Sequence, residues 1–421
     1  MPNKKPEELF WDSRESLRYI RTLSQQKLVS RWTLLGVAIQ RTLHTVPWDV
    51  HYESFRGPAP LNTLLGFVGP TGTGKTLGSG VLDRHMVFPD NDSTRPLSKS
   101  WTGFVEPGSG EAMPDYYVET APAKPDGDEP LELAYDKKAW AHPNHAAAFS
   151  FDEVGMLDAR NSRQGSTITQ YLKQAYSGSE FGRVLKGRKG TLLQPLSYRF
   201  TCGVNLQPAR AGSFFTDVEI SGGFPSRFIW FSAQDESLKR NFETKELPLF
   251  HAAAVDWQGV TSIPALPKMD EAHKDQHFDS MEGKVEPIDS HLLLTRAKVA
   301  CALAVLDNRA ELNQEDWELS EVVIEHSRQT RSVILETLSK EGAKARDKTA
   351  KAAAVVAATT EQMKHEQNVK RVASNIKKAF KAGKVKVLTE KGLAKHISSR
   401  DRDSLLEAIQ FLEDNPRWGE G

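Results

Sequence analysis

The stretch that decides the fold reads Gly69-Pro70-Thr71-Gly72-Thr73-Gly74-Lys75-Thr76. Two glycines with four residues between them, followed by Lys-Thr, form the pattern of a phosphate-binding P-loop. The apolar run 61–68 predicts a buried strand before it, and the chain from Leu77 onward predicts a helix after it. Glycines allow a tight turn that presents backbone N–H groups to phosphate oxygens, and the helix N-terminus adds positive potential. We therefore predict that residues 69–76 bind a nucleoside triphosphate.

The last two residues of this stretch predict its chemistry. Lys75 is expected to reach the β- and γ-phosphates of ATP, and the Thr76 hydroxyl is expected to bind Mg²⁺. ATP and Mg²⁺ are thus the expected cofactors. The alternative is a glycine-rich turn without a ligand, but the strand before it and the Lys-Thr pair favour the nucleotide.

A second signal comes 77 residues after Lys75, where the apolar run 146–151 ends in Asp152 and Glu153. A P-loop ATPase needs one carboxylate for the Mg²⁺ shell and a second group that orients or deprotonates the attacking water. We predict that Asp152 is a metal-binding and catalytic residue and that Glu153 activates the water.

Three further polar residues are candidates for the nucleotide site. Asn205 follows the apolar strand 198–204, at an end that faces the nucleotide in a parallel sheet, and could position the water. Arg227 lies just before the aromatic run 228–231 and could meet a phosphate with its planar fork; a structural salt bridge is the alternative. Arg296 lies within the apolar helix predicted over 290–306 and is a candidate second nucleotide sensor.

A basic hairpin is predicted over 182–193, where two short β-like runs flank a Gly-Arg-Lys-Gly tip. The tip carries Lys186, Arg188 and Lys189, which we predict to bind a nucleic-acid backbone. The alternative is an ordinary solvated turn.

Composition and charge restrict the class of protein. The 421 residues include 39% hydrophobic and 26% charged residues, typical of a water-soluble protein, and no apolar run of transmembrane length occurs. The polar N-terminus is not a signal peptide, and Cys202 and Cys301 are expected in the core, so a reducing, cytoplasmic location is expected. Net charge is zero, but residues 340–402 hold 17 Lys and Arg against 6 Asp and Glu. This segment favours a polyanionic partner, with a solvated helix surface as the alternative.

Together these stretches resemble the ATPase half of primase-polymerase and helicase proteins of actinobacterial phages, plasmids and integrated elements, which are similar to superfamily 3 and MCM-type helicases. The resemblance covers about residues 8–340 and departs from the family over 89–144. The segments that carry it are 10–14, 32–36, 69–76, 109–111, 151–153, 198–199, 203–208, 222–223, 227–228, 296 and 316–317.

This resemblance implies an AAA+ core that forms oligomeric rings. Asp152 and Glu153 would be the Walker B pair, Asn205 the first sensor, and Arg227 a finger given to the neighbouring subunit. Arg296 would be the second sensor, and the hairpin 182–193 would line the ring. No primase domain precedes residue 8, so priming is expected from a separate primase or polymerase.

The expected fold is α/β: a P-loop AAA+ core with a parallel sheet, N-terminal helices, a C-terminal all-α lid and a helix-turn-helix or winged-helix-like module. The expected regions are an N-terminal helical region, the ATPase core, the helical lid, a basic Ala/Lys-rich helical arm and the winged-helix-like module, at 1–60, 61–235, 236–340, 341–366 and 367–421.

The expected function is that of an ATP-dependent DNA helicase or translocase that moves single-stranded DNA through a ring, expected to be a hexamer. Duplex or forked DNA remains open as a further ligand. One alternative is a nucleotide-gated replication initiator or helicase loader that binds DNA without processive unwinding. Another is an ATPase scaffold that does not touch DNA.

Overall fold

The computed structural model describes residues 6–89, 103–118, 145–152, 168–182, 191–242, 246–252, 254–384, 393 and 398–416. The chain divides into two compact units, Met1–Ser339 and Lys340–Gly421. The predicted N-terminal region, ATPase core and lid all lie in the first unit, apart from residue 340.

The described helices and strands are numbered in chain order. The helices are α1 Pro6–Ser13, α2 Glu15–Lys27, α3 Arg31–Thr45, α4 Leu77–His85, α5 Ala112–Asp115, α6 Ile168–Ser177, α7 Asp217–Ser221, α8 Pro267–Met281, α9 Leu292–Leu306, α10 Gln314–Lys381 and α11 Leu405–Asp414. The strands are β1 His51–Ser54, β2 Gly57–Ala59, β3 Thr63–Val68, β4 Met86–Val87, β5 Ala146–Phe151, β6 Phe181–Gly182, β7 Leu192–Leu193, β8 Arg199–Leu206, β9 Phe228–Ser232, β10 Phe250–His251 and β11 Ser262–Pro264.

The hydrophobic pattern of residues 11–46 predicts two helices, with Asp12 as the cap of the first and Ser24 or Ser30 as the cap of the second. The structure has three helices in this region. The chain is extended at Arg14, which separates α1 from α2. Asp12 therefore does not begin a helix as expected; it lies inside α1, and its carboxylate pairs with Arg21 at 2.5 Å. Ser30 does cap α3, because its hydroxyl accepts hydrogen bonds from the backbone N–H groups of Trp32 and Thr33.

A four-stranded parallel sheet forms the centre of the first unit, in the order β5-β8-β3-β9. This confirms the predicted parallel sheet and its apolar strands. Val105 adds a parallel bridge to Phe149 beside β5. All six residues of β3 and all eight of β8 are buried, as expected for parallel strands with both faces covered.

The sheet separates two hydrophobic clusters. Leu65 and Phe67 of β3 pack in one cluster with the N-terminal helices and α9, whereas Leu64 and Val68 pack in the other with α6. This alternation follows from the two-residue period of a strand. At Gly66, an added β-carbon would lie 2.2 Å from the Trp230 ring, so the glycine is what lets this ring cover the strand. Helices therefore cover both faces of the sheet.

The second unit has a small core of its own. Its buried apolar residues are Val369, Val372, Ala373, Ile376, Leu393, Leu405, Ala408 and Leu412. The sequence of this unit predicts three short helices, over 369–380, 389–397 and 404–412. The first is the final part of α10 and the last is α11, while the one over 389–397 lies outside the described residues except for position 393. No helix in the described ranges is long and apolar enough to cross a membrane.

Candidate functional site

The glycine-rich loop, residues 69–76, joins the carboxyl end of β3 to α4. Its start is fixed to the sheet by a 3.0 Å hydrogen bond from the Gly69 N–H to the Leu206 carbonyl. Gly72 and Gly74 have φ values of 84° and 80°, a conformation that favours glycine. A β-carbon on Gly69 would lie 2.8 Å from Thr73 Oγ1. The backbone of this loop therefore depends on its glycines.

The side chain of Lys75 folds back over this loop. Its ammonium donates hydrogen bonds of 2.7 Å to the carbonyl oxygens of both Gly69 and Pro70. The positive charge is thus held over the turn itself, where a phosphate bound by the loop would meet it.

Three predicted residues meet beside the loop. Asn205 Nδ2 donates to Thr76 Oγ1 at 3.1 Å and lies 3.4 Å from Asp152 Oδ1, to which it also donates. The strands explain the meeting: β8 pairs with β3 on one side and with β5 on the other, and all three end at the same edge. Asn205 is the last residue but one of β8 and is 6% exposed, so its amide has a fixed position between the hydroxyl and the carboxylate.

A cleft of about 350 Å³ opens over this edge of the sheet. Its lining residues are Thr71, Gly72, Thr73, Gly74, Lys75, Thr76, Leu77, Asp152, Asn205, Gln207 and Arg210. Gln207 and Arg210 were not predicted as site residues. Their position was the available signal: both residues follow Asn205 by five residues or fewer, and Asn205 lies at the end of a strand that points at the loop.

The cleft suits a metal-bound nucleotide in both size and chemistry. Its volume lies in the range of small-molecule sites. A hydroxyl and a carboxylate are the hard oxygen ligands that Mg²⁺ prefers, and Thr76 and Asp152 supply them side by side. The ammonium of Lys75 offers a counter-charge to phosphate oxygens.

Glu153 lies outside the described residues, as do the predicted DNA-binding residues Lys186, Arg188 and Lys189. The base of the predicted hairpin is described: β6 and β7 pair antiparallel, with Phe181 opposite Leu193. Gly182 has a φ of 115°, and a β-carbon there would lie 2.0 Å from the Thr191 carbonyl oxygen. Only glycine fits this position.

Arg227 lies at the amino-terminal end of the parallel strands, opposite the carboxyl end that carries the glycine-rich loop. It precedes β9, whose last residue Ser232 lies level with Val68, so about 15 Å of sheet separates it from the loop. Its guanidinium donates to the carbonyl oxygens of Gly222 and Gly223 at 2.8 and 2.6 Å. Burial lowers the pKa of Arg227 from its ordinary value. The structure does not bring this side chain to the cleft of its own chain.

Arg296 is not among the residues that line the cleft either. Its guanidinium stacks 3.5 Å above the Trp317 ring and donates to the Trp317 carbonyl at 2.8 Å. It also pairs with Glu321 at 2.5 Å. These contacts join α9 to α10.

No protein-family model matches the sequence, and no curated protein matches it.

Proposed function

We propose that this protein is an ATP-dependent DNA helicase or translocase of a phage or mobile element, built on an AAA+ core and active as a ring. The observation that carries the proposal is the meeting of Lys75, Thr76, Asp152 and Asn205 at one edge of a parallel sheet. These four residues come from three separate segments, and the sequence predicts a role in ATP hydrolysis for each of them. All four line one cleft.

Each residue has a defined task in this proposal. Lys75 and the loop N–H groups bind the phosphates of ATP, and Thr76 and Asp152 would hold Mg²⁺. Bound Mg²⁺ neutralises charge on the phosphate oxygens. Asn205 holds the water that attacks the terminal phosphate, and Glu153 removes its proton.

The position of Arg227 supports hydrolysis between subunits. If Arg227 neutralises charge in a nucleotide cleft, that cleft belongs to another chain, because about 15 Å of sheet separates this side chain from its own loop. A contact between two different surfaces of identical chains repeats head to tail and closes into a ring when the rotation allows it. This supports a homo-oligomeric ring, and we propose a hexamer.

Charge supports DNA as the polyanion. Residues 340–402 carry 17 Lys and Arg against 6 Asp and Glu. The described side chains of 340–367 are exposed, so the six Lys and Arg residues of this part face solvent, where a phosphate backbone could contact them. The hairpin tip would supply further contacts to the DNA backbone inside the ring. A separate primase or polymerase would act with this motor in the cytoplasm.

A replication initiator or helicase loader is the second candidate. The division of the chain at residue 340 favours it to this extent: a separate C-terminal unit with its own core is suited to recognising duplex DNA. Unwinding of a forked duplex distinguishes the two functions, because a loader binds the fork without separating its strands processively.

The decisive experiment mixes two inactive variants. Lys75→Ala and Arg227→Ala are each expected to lose ATP hydrolysis, the first because the phosphates lose their cation and the second because the neighbouring cleft loses its finger. Their mixture should recover activity at interfaces that combine an intact loop with an intact finger. ATPase rates across mixing ratios measure this.

The matched control mixes Lys75→Ala with the double variant that carries both changes, which leaves no intact loop at any interface and should stay inactive. Wild-type protein without ATPase activity would contradict the proposal. Failure of complementation in mixed rings would contradict the role of Arg227 alone.

A further inference from the structure

Arg210 is a cation in the cleft to which the proposed reaction assigns no task. It lines the cleft together with the glycine-rich loop, Asp152 and Asn205. Within the described lining, Lys75 and Arg210 are the positively charged side chains and Asp152 is the negatively charged one.

The backbone that carries Arg210 is fixed to the core. Residues Pro208–Arg210 form a 3₁₀ turn in which the Arg210 N–H donates to the Gln207 carbonyl at 2.9 Å. Ala211 and Phe214 follow directly and are 0% and 2% exposed. The Arg210 side chain itself is exposed. An exposed cationic side chain on a fixed backbone therefore lines the cleft.

The position of Arg210 relates it to one end of the nucleotide. The loop and Lys75 enclose the phosphates from the side of β3, whereas Asp152 and Asn205 stand on the side of β5 and β8. Arg210 follows β8 directly in the chain, five residues after Asn205, and lines the cleft together with Asp152 and Asn205. Under the proposed function this is where the terminal phosphate and the attacking water lie.

The cleft offers little to a nucleobase. The lining residues in the described part of the chain include no aromatic ring, and Leu77 is the one large apolar side chain among them. Recognition by this set must rest on phosphate oxygens. A planar guanidinium can bind two oxygens of one phosphate at once, and a triphosphate carries one more negative charge than a diphosphate.

We propose that Arg210 reads the terminal phosphate of the nucleotide in its own chain and so separates the triphosphate from the diphosphate. This assignment rests on the proposed ATPase function. Arg210 would act within its own chain, whereas Arg227 would act on the neighbouring chain. The two arginines would therefore fail differently in experiments.

The test compares binding of a non-hydrolysable ATP analogue with an imido β–γ bridge and of ADP to full-length protein, with Mg²⁺, by calorimetry. Arg210→Ala should weaken binding of the analogue about tenfold or more while ADP binding changes less than about twofold. Arg210→Lys keeps the charge but loses the fork, so it should fall between wild type and Arg210→Ala. Arg84→Ala is the matched control: Arg84 is exposed on α4, outside the cleft lining, and its loss should leave both affinities unchanged.

Each outcome decides one of the two proposals. An unchanged ratio of the two affinities in Arg210→Ala, whether both nucleotides weaken or neither does, would overturn the assignment of Arg210 and leave the ATPase proposal standing. Wild-type protein that binds neither nucleotide would overturn both. Thermal unfolding of each variant verifies that the fold is kept.

Discussion

Asp316 is fully buried at the start of α10, and three groups hold its carboxylate. Arg14 and Arg309 each donate to it at 2.7 Å, and the Asn313 N–H donates at 2.8 Å. Burial by itself raises the pKa of Asp316, but the hydrogen bonds from Arg309, Asn313 and Arg14 outweigh it and lower the pKa from its ordinary value. One side chain thus joins the N-terminal helices to α10.

Removal of this carboxylate should be costly. Asp316→Ala leaves the buried guanidinium of Arg14 without its main partner, and we expect the free energy of unfolding to fall by about 3–5 kcal/mol. Glu315→Ala is the control, because Glu315 also pairs with Arg14 but is 51% exposed, and its loss should cost at most about 1 kcal/mol. Urea denaturation measures both; equal losses would contradict a special role for the buried carboxylate.

At the scale of residues, the sequence predicted the centre of the site better than its rim. Lys75, Thr76, Asp152 and Asn205 could be found because each follows a strand or glycine pattern that has a chemical reason. Arg210 carried a weaker signal, its position five residues after Asn205, and only the structure shows that it lines the same cleft as the loop. The distance between Arg227 and the loop required the strand register, which no local pattern contains.

Among the elements, the hairpin is described at its base, the strands β6 and β7, whereas its tip lies outside the described residues. The antiparallel pairing of β6 and β7 and the glycine at position 182 establish a reversal of the chain at this base. Lys186, Arg188 and Lys189 fall between the two strands in sequence. The proposed grip on DNA therefore depends on these three cations.

Changing all three tip residues to Ala should separate ATP binding from DNA movement. ATP affinity and basal hydrolysis should stay near normal, because none of the three belongs to the nucleotide-site motifs. Unwinding of a forked duplex and stimulation of hydrolysis by single-stranded DNA should fall steeply, because the tip could no longer hold the phosphates. Replacement of the exposed Lys27, Arg56 and Lys268 by Ala is the charge-matched control. A triple variant that unwinds normally would exclude the tip as the moving part.

The lengths of the elements were harder to predict than their existence. The apolar strands and the helix expected over 290–306 are present. The helix that the sequence predicts from about 312 into 343–365 is also present as α10, but it continues over 68 residues, through the separate helix expected over 369–380. The segment of α10 contains no proline and a single glycine, Gly342, so no helix-breaking residue ends the helix within it. It stops where Gly383 adopts a φ of 70° and its N–H bonds to the Phe380 carbonyl, a usual helix-ending device.

For the whole molecule, the division at residue 340 predicts that the first unit folds alone. Both large hydrophobic clusters lie within residues 1–339, and the small cluster of the second unit lies within 369–412. A chain that ends at Ser339 should keep the thermal unfolding midpoint of the first unit. Its binding to single-stranded DNA should depend less on salt, because the slope of log K against log salt decreases by about 0.7 for each phosphate that the protein no longer neutralises.

A full-length variant with Lys344, Arg346 and Lys348 changed to Gln serves as the control for this truncation. These positions are exposed on α10, and Gln keeps the helix while it removes the charge. A reduced slope in both proteins would attribute the effect to charge rather than to loss of the C-terminal fold. An unchanged slope in the truncated chain would mean that residues 340–421 do not contribute to DNA binding.

The opposite positions of Arg227 and the glycine-rich loop also bear on how ATP hydrolysis would be controlled. Under the proposed function, a solitary chain carries two half-sites, the glycine-rich loop and Arg227, that cannot meet. It would therefore bind ATP without hydrolysing it. Turnover per chain would then rise with the concentration of chains, as mass action requires for a shared site. Dilution would therefore stop hydrolysis, and assembly around a DNA strand would start it. Chains away from DNA would stay inactive without any separate inhibitor.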